Sequence, residues 1–131
     1  MRYLLDANAV IDLLNDADSK LAKRVRREGP NDIAISAIVS HELFYGAFKS
    51  ARPSHNVDVI DALQFAVLEF DKDDARQSGS VRALLASRGT PIGPYDVLIA
   101  GQALARNMIL ITRNMDELTR VPGLRAEDWS A

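Results

Sequence analysis

The sequence predicts an α/β fold with a mostly parallel central sheet. Its 131 residues contain short apolar runs, bounded by Asp, Ser or Thr, that alternate with longer stretches of apolar residues at helical spacing. Strands without a polar face are typical of parallel sheets covered on both sides, and repeated strand–helix alternation is typical of α/β proteins. Because chains of this length usually form one core, we expect a single domain over residues 1–131.

Four apolar runs predict the strands of that sheet. They cover residues 3–5, 33–35, 67–70 and 108–111. Helices are predicted around residues 10–14 and over residues 17–28, 37–49, 53–65, 73–87 and 95–106. Ser36 is a suitable N-cap for the third helix, Gly89 a left-handed cap after the fifth, and Pro94 stands near the first position of the last.

Composition and charge exclude several classes of protein. Lys plus Arg total 16 and Asp plus Glu total 18; the net charge of −2 excludes a protein that coats nucleic acid by bulk charge alone. The chain has no cysteine, so disulfides, thiol nucleophiles and cysteine zinc sites are excluded. No apolar run approaches the ~20 residues of a membrane span, and Asp6 and Asp12 interrupt the region that a signal peptide would need. We expect a cytoplasmic protein with no membrane partner.

Three acidic residues lie on the apolar stripes of their segments. Asp6 directly follows the first strand, Glu42 lies in the middle of the third helix, and Asp96 lies in the first turn of the last helix. Local roles explain two of them, since Asp6 suits a helix N-cap and Asp96 gains from the helix dipole. Glu42 has no such explanation, because its neighbours at helical spacing place it on the inward face.

Carboxylates that share a cleft repel each other unless a positive charge lies among them. No Lys or Arg lies within three residues of Asp6, Glu42 or Asp96 along the chain. A divalent cation such as Mg²⁺ or Mn²⁺, which prefers oxygen ligands, is the simplest solution. After the last strand, Asn114 and Asp116 are placed to complete this pocket directly or through water, or else to act as turn and helix-cap residues.

Longer segments of the sequence resemble a known family. They are LLDANAVIDLL, ISAIVSHELFYGA, RALLASRGTPIGPYDVLIAGQALARNMILITRN and RVPGLRAEDW. Over essentially the whole chain, these segments resemble the PIN-domain ribonucleases of the VapC toxin family. The resemblance implies a PIN-like three-layer α/β/α sandwich. It matches the family's site positions to Asp6, Glu42, Asp96 and Asn114, with Asp116 close by.

The resemblance also implies an activity, namely Mg²⁺- or Mn²⁺-dependent hydrolysis of RNA phosphodiesters by a metal-activated water. Asp6 and Asp96 are then expected as direct metal ligands. Glu42 is expected either as a third ligand or as the base that holds the attacking water. Asn114 and Asp116 are expected to lie behind these ligands.

Two positions depart from the family pattern. Ala7 stands where the family usually has Thr or Ser, so a hydroxyl that helps to orient Asp6 is missing and we expect reduced activity. Asn114 stands where other members have Asp, which leaves one less negative charge and argues against a highly occupied second metal site.

Basic residues late in the chain are candidates for contacts to RNA phosphates. We expect Arg106, Arg113 and Arg120 to make such contacts, whereas the basic cluster over residues 20–27 is more typical of a solvated helix face. His41 and His55, the only histidines, are expected at the surface, which argues against metal-free cleavage by paired histidines.

Three partners follow from the resemblance: RNA, with transfer RNA among the expected substrates; a second copy of the chain in a homodimer; and a small antitoxin whose tail covers the acidic cleft. An excess of apolar residues on two helices supports the homodimer. They are Phe44, Phe48, Val57, Val59, Ile60 and Leu63. The aromatic run that includes Tyr45 favours core and dimer packing over a base-stacking platform.

Two other functions remain open at this point. One is a phosphotransferase of the haloacid-dehalogenase type with Asp6 as nucleophile, although that class usually needs a second Asp where this chain has Asn8. The other is a PIN-like module that binds RNA or a partner without cleaving, which the departures at Ala7 and Asn114 favour. A metal-dependent nuclease assay separates all three.

Overall fold

A five-stranded parallel sheet forms the centre of the computed structural model, which describes residues 1–131. Its strands are β1 (Tyr3–Leu5), β2 (Ile33–Ser36), β3 (Ala66–Leu68), β4 (Ile109–Ile111) and β5 (Ala126–Glu127). They lie in the order β3-β2-β1-β4-β5, and every neighbouring pair is parallel. After β1 the chain adds β2 and β3 on one side of it, and then adds β4 and β5 on the other side. Such a reversal leaves a crevice at the carboxyl ends of the central strands, where α/β proteins bind ligands.

Seven helices surround the sheet. They are α1 (Ala7–Asn15), α2 (Lys20–Glu28), α3 (Ala37–Phe48), α4 (Pro53–Asp61), α5 (Lys72–Ser87), α6 (Pro94–Ala105) and α7 (Met115–Leu118). A 3₁₀ turn, Pro30–Asp32, precedes β2. None of the helices is long and apolar enough to cross a membrane.

Both faces of the sheet are covered by helices. Every residue of β1, β2 and β4 is buried, although successive side chains of a strand point to opposite faces. The buried apolar residues form one core cluster with 26 members. The predicted α/β/α sandwich is therefore confirmed.

Local sequence signals set several helix ends. Asp6 and Ser36 are the N-caps of α1 and α3, and their side chains accept hydrogen bonds from the backbone N–H groups of Ala9 and Ile38 at 2.8 and 3.0 Å. Gly89, just beyond α5, has a φ of 69°, which is the left-handed conformation expected of it.

Some predicted boundaries are wrong. The third strand is Ala66–Leu68 rather than 67–70. It lies at the edge of the sheet and Val67 is exposed, so its end is not marked by a run of residues buried on both faces. Helix α4 ends at Asp61, four residues before its predicted end. The two-residue strand β5 and the one-turn helix α7 are too short to produce a periodic pattern in the sequence.

Helices α5 and α6 approach each other closely at Gly101. A Cβ atom at this position would lie only 2.4 Å from the Cα and backbone N atoms of Ser78. Farther along the same contact, the buried Gln102 donates from Nε2 to the Glu69 carbonyl at 2.9 Å and to the Asp74 carboxylate at 3.1 Å. This packing fixes α6, whose first turn carries Asp96.

Candidate active site

The carboxyl ends of β1 and β4 bring Asp6 and Thr112 side by side. Leu5 and Ile111 are paired in the sheet, and the backbone N–H of Asp6 donates to the Ile111 carbonyl at 3.1 Å. Asp6 therefore lies in the crevice between the two halves of the sheet, where the sequence placed it.

Asp6 is buried, with 5% of its surface exposed. Burial raises the pKa of this carboxyl, while hydrogen bonding by the Thr112 side chain and the Ala9 N–H, together with the charge of Arg113, lowers it. Thr112 is itself buried, so its hydroxyl is held in place. A hydroxyl is thus present beside Asp6 even though position 7 is alanine, a contact that the sequence analysis missed.

Glu42 lies half-buried on α3 and belongs to the same site. Loss of hydration, followed by the charges of Asp96 and Asp6, raises the pKa of Glu42 to about 7. Carboxylates affect one another in this way only when they lie near each other. The three acids predicted from the sequence are therefore neighbours in space.

Asp96 lies in the first turn of α6, three residues after Gly93. Burial raises the pKa of Asp96; hydrogen bonding by Asn114 lowers it, and the charges of Asp6 and Glu117 raise it further. The Asn114 side-chain amide donates to Oδ2 of Asp96 at 3.1 Å. Gly93 leaves room for this carboxylate, since a Cβ atom there would lie 3.2 Å from the same oxygen.

The structure does not bring Asp116 into contact with the other acids. This residue is exposed, and its side chain makes no hydrogen bond or ion pair with the other acids. Its neighbour Glu117 is the acid that belongs to the site, because Asn114 donates from Nδ2 to Oε2 of Glu117 at 2.6 Å. That hydrogen bond is the main cause that lowers the pKa of Glu117. The i, i+3 spacing from Asn114 is the sequence signal for Glu117, but it has meaning only once α7 is known to be helical.

We call this set the acidic cluster: Asp6, Glu42, Asp96 and Glu117. Its members come from the end of β1 and from helices α3, α6 and α7.

Two of the three predicted arginines lie beside the acidic cluster. Arg113 pairs through Nε with Oδ2 of Asp12 at 3.1 Å, and its charge lowers the pKa of Asp6. Arg120 donates from Nη1 to the Pro91 carbonyl at 3.1 Å, and its charge lowers the pKa of Glu117. Both side chains are exposed to solvent.

The structure does not bring Arg106 to the acidic cluster. Its guanidinium is bound by Asp74 at 3.1 Å and by Asp71 at 3.4 Å. It lies at the C-terminal end of α6, about 15 Å along the helix from Asp96 at 1.5 Å per residue. Arg106 joins α6 to α5 and has no donor group directed at the acidic cluster.

The donors of the acidic cluster fit a hard divalent cation. All are carboxylate oxygens, assisted by the amide of Asn114, and the chain offers neither thiolate nor imidazole among them. No set of three or more acidic or histidine side chains is arranged to hold one ion directly. This is compatible with Mg²⁺, which keeps several waters and takes only one or two carboxylates. A cation would also relieve the repulsion that raises the pKa of Glu42.

A groove with a volume of about 470 Å³ leads away from the acidic cluster. We call it the α1/α3/α4 groove. Its apolar lining includes Ile11, Leu14, Leu43, Val59 and Ile60, and Glu42 lies at its edge. Ile11 and Leu14 are 44% and 41% exposed, so apolar surface is open to solvent beside a carboxylate.

The fold and the acidic cluster together define a class: α/β proteins with a carboxylate site at the switch point of a parallel sheet. Comparison with known proteins identifies the family within this class. The sequence matches the PIN domain family over residues 3–124. It is 37% identical over 131 residues to the tRNA(fMet)-specific endonuclease VapC of Salmonella typhimurium, with 98% of each chain covered. It is 38% identical over 132 residues to the Shigella flexneri protein of the same name, with 99% of each covered.

The three-dimensional comparison agrees. The fold matches the crystal structure of DNA-bound VapBC from Salmonella typhimurium with a TM-score of 0.93 at 37% identity, and 98% of each chain is covered. The chain belongs to the PIN-domain family and, within it, to the VapC ribonucleases.

Proposed function

We propose that this protein is a divalent-metal-dependent endoribonuclease that acts as the toxin of a type II toxin–antitoxin pair. The observation that carries the proposal is the acidic cluster at the switch point of the sheet, where the charge of Asp6 reaches both Glu42 and Asp96 and raises the pKa of each. Relatives named as VapC endonucleases over nearly the whole chain support the choice of RNA as substrate.

In this proposal Asp6 and Asp96 hold Mg²⁺ or Mn²⁺, with Glu42 as a third ligand or as the base. A divalent ion at these oxygens supplies Lewis-acid chemistry, which eases ionisation of the attacking water and offsets the negative charge that builds up on the phosphate. Side chains of the protein supply the proton transfer and the orientation of the reacting groups. Glu42, half-buried beside Asp6 and Asp96, is the carboxylate that would take a proton from the attacking water.

Asn114 and the arginines support this chemistry from the side. Asn114 donates to Asp96 and Glu117 at once, and so keeps both carboxylates oriented without adding negative charge. Arg113 and Arg120 lie on the solvent side of the cluster, where guanidinium groups suit phosphate oxygens.

The substrate we propose first is a structured RNA such as transfer RNA. The support is the printed name of the Salmonella and Shigella relatives, tRNA(fMet)-specific endonuclease.

The proposed antitoxin occupies the α1/α3/α4 groove. The Salmonella relative was crystallised as a VapBC complex, and this groove offers apolar surface that ends at Glu42. An amphipathic antitoxin segment with a cationic residue at its end would bury Ile11 and Leu14 and compete for the carboxylates.

The proposed homodimer uses fewer residues than the sequence suggested. Of the six apolar residues named above, Ile60 and Leu63 pack against the core and Val59 lines the groove. Phe48 is 65% exposed, and Tyr45, on the preceding turn of α3, is 62% exposed. These two side chains are the proposed centre of the dimer contact.

The proposal is tested by incubating the purified protein with transfer RNA and with unstructured RNA, with and without Mg²⁺. We expect cleavage that stops when a chelator is added, and none from Asp96→Asn, which keeps the shape of the side chain but removes its charge. Wild-type turnover that persists in excess chelator would contradict the metal-dependent mechanism. RNA binding without any cleavage would favour a non-catalytic PIN module.

A further inference from the structure

An aromatic pair stands at the edge of the acidic cluster and takes no part in the core. His41 and Tyr95 directly precede Glu42 and Asp96 in the sequence, on helices α3 and α6. The Tyr95 hydroxyl and the Nε2 atom of His41 lie 3.4 Å apart, and the ring centroids are 5.8 Å apart with an interplanar angle of 53°. Tyr95 is 44% exposed, and His41 is also exposed.

The contact between the two rings holds them in place without burying them. Each side chain restricts the rotamers of the other, so part of the ordering entropy is lost before any ligand arrives. Neither ring belongs to the buried cluster of the fold. The pair is therefore a solvent-exposed aromatic surface, one residue from each of two carboxylates.

We propose that His41 and Tyr95 form a stacking site for an unpaired RNA base next to the phosphate that is cleaved. This inference rests on the endoribonuclease function proposed above and adds a substrate contact to it. Aromatic side chains stack on bases of any sequence, and proteins recognise single-stranded RNA loops largely in this way. A base on this pair brings its own phosphate towards Asp96 and Glu42.

The surroundings of the pair include a cation that suits an RNA phosphate. On the α6 side, Arg120 binds the Pro91 carbonyl in the loop that leads to Tyr95. A guanidinium group on this side of the pair suits the phosphates of a nucleic-acid backbone.

The test compares Tyr95→Leu, Tyr95→Phe and His41→Ala. Binding is measured in the Asp96→Asn background with a short single-stranded RNA that carries 2-aminopurine, whose fluorescence falls on stacking; cleavage is measured in the native background. We expect Tyr95→Leu to weaken binding about 5- to 150-fold and to abolish the fluorescence change. Tyr95→Phe should keep most of both, and His41→Ala should lose less than Tyr95→Leu. Val67→Ala, which truncates an exposed apolar side chain on β3, serves as the control that changes neither.

Tyr95→Leu with unchanged RNA affinity and fluorescence would overturn the inference. A loss of affinity that accompanies a change in solution mass by light scattering would assign the pair to a contact between copies of the chain, and would also overturn it. Failure of the wild-type protein to cleave any RNA concerns the proposed function instead. The binding arm, which does not depend on cleavage, still tests the stacking site in that case.

Discussion

At the scale of a single residue, Glu42 lowers the stability of the folded protein because its carboxylate is held close to two others. Its pKa in the folded protein rises from 4.5 to about 7 because of burial and the charges of Asp96 and Asp6. Between these two values the folded protein binds more protons than the unfolded chain, so this group makes the protein less stable as pH rises through the window. Sites that hold like charges together commonly carry such a cost.

We predict that Glu42→Gln raises the midpoint of thermal unfolding by a few degrees at about pH 8 in the presence of a chelator. The gain should shrink towards about pH 5, where Glu42 is mostly protonated in the folded protein. The measurement is thermal unfolding followed by circular dichroism, with the exposed Glu69→Gln as control. A Gln variant that is no more stable than wild type at the higher pH would contradict this account of Glu42.

Thr112 is the residue that compensates for Ala7. It lies beside the Asp6 carboxyl and lowers its pKa, and its Oγ1 also accepts the backbone N–H of Asn114 at 2.9 Å. One hydroxyl therefore positions two site residues. Ala7 itself is buried at the start of α1 and has no side-chain donor to offer Asp6.

We predict that Thr112→Val destabilises the fold by about 1 kcal/mol, since it leaves the part-buried Asn114 N–H without its acceptor. It should also weaken metal affinity about 10- to 100-fold. Ala7→Thr should leave cleavage equal or higher. Denaturant unfolding and metal titration check the first variant, with the exposed Thr119→Val as matched control. A large loss of cleavage in a folded Ala7→Thr protein would show that alanine is required at position 7.

At the scale of elements, the packing of α5 against α6 decides where Asp96 lies. The two helices come so close at Gly101 that a Cβ atom would overlap the Ser78 backbone. Gly79, one residue beyond Ser78 in α5, is exposed and has no atom within 4 Å of the Cβ position. The same substitution at these two glycines should therefore have opposite effects.

We predict that Gly101→Ala destabilises the protein by about 1–3 kcal/mol, because backbone must move to admit the methyl group. Gly79→Ala should instead stabilise it by about 0.5–1 kcal/mol, since alanine favours the helix and meets no neighbour. Urea unfolding of both variants is the measurement. Equal effects of the two substitutions would show that α5 and α6 are not in close contact at Gly101.

The same scale explains why Asp116 was predicted instead of Glu117. Both acids follow the last predicted strand, and nothing in the local sequence ranks one above the other. The single turn of α7 turns Glu117 towards Asn114 and leaves Asp116 in solvent. A four-residue helix has no periodicity to read, so only the folded chain distinguishes them.

At the scale of the whole molecule, we predict a homodimer that dissociates when Phe48 is replaced by Glu. Phe48 and Tyr45 are exposed aromatic side chains on adjacent turns of α3, and burying them would favour association. Light scattering across a dilution series should give twice the chain mass for wild type and the chain mass for Phe48→Glu. Val67→Glu, which introduces the same charge at an exposed position of the edge strand β3, is the control. A strict monomer at high micromolar concentration would exclude the dimer.

The sequence by itself determined the α/β class, most helix bounds and three members of the acidic cluster. Each of these depends on local information: apolar runs mark buried strands, caps mark helix ends, and an acid on an apolar stripe is conspicuous, as at Glu42. The adjacency of β1 and β4 follows only from the strand order, yet it brings Thr112 to Asp6.

Only the tertiary structure decided which of the remaining polar residues serve the site. Arg106 and Arg113 are alike in sequence, but Asp74 captures the first and Asp12 holds the second beside Asp6. Asp116 and Glu117 differ by one position on a single helical turn. The physical reason is that a charged side chain pairs with the partner that lies nearest in the folded chain. For the two arginines that partner is distant in sequence, and for Glu117 the turn of α7 brings Asn114 within reach.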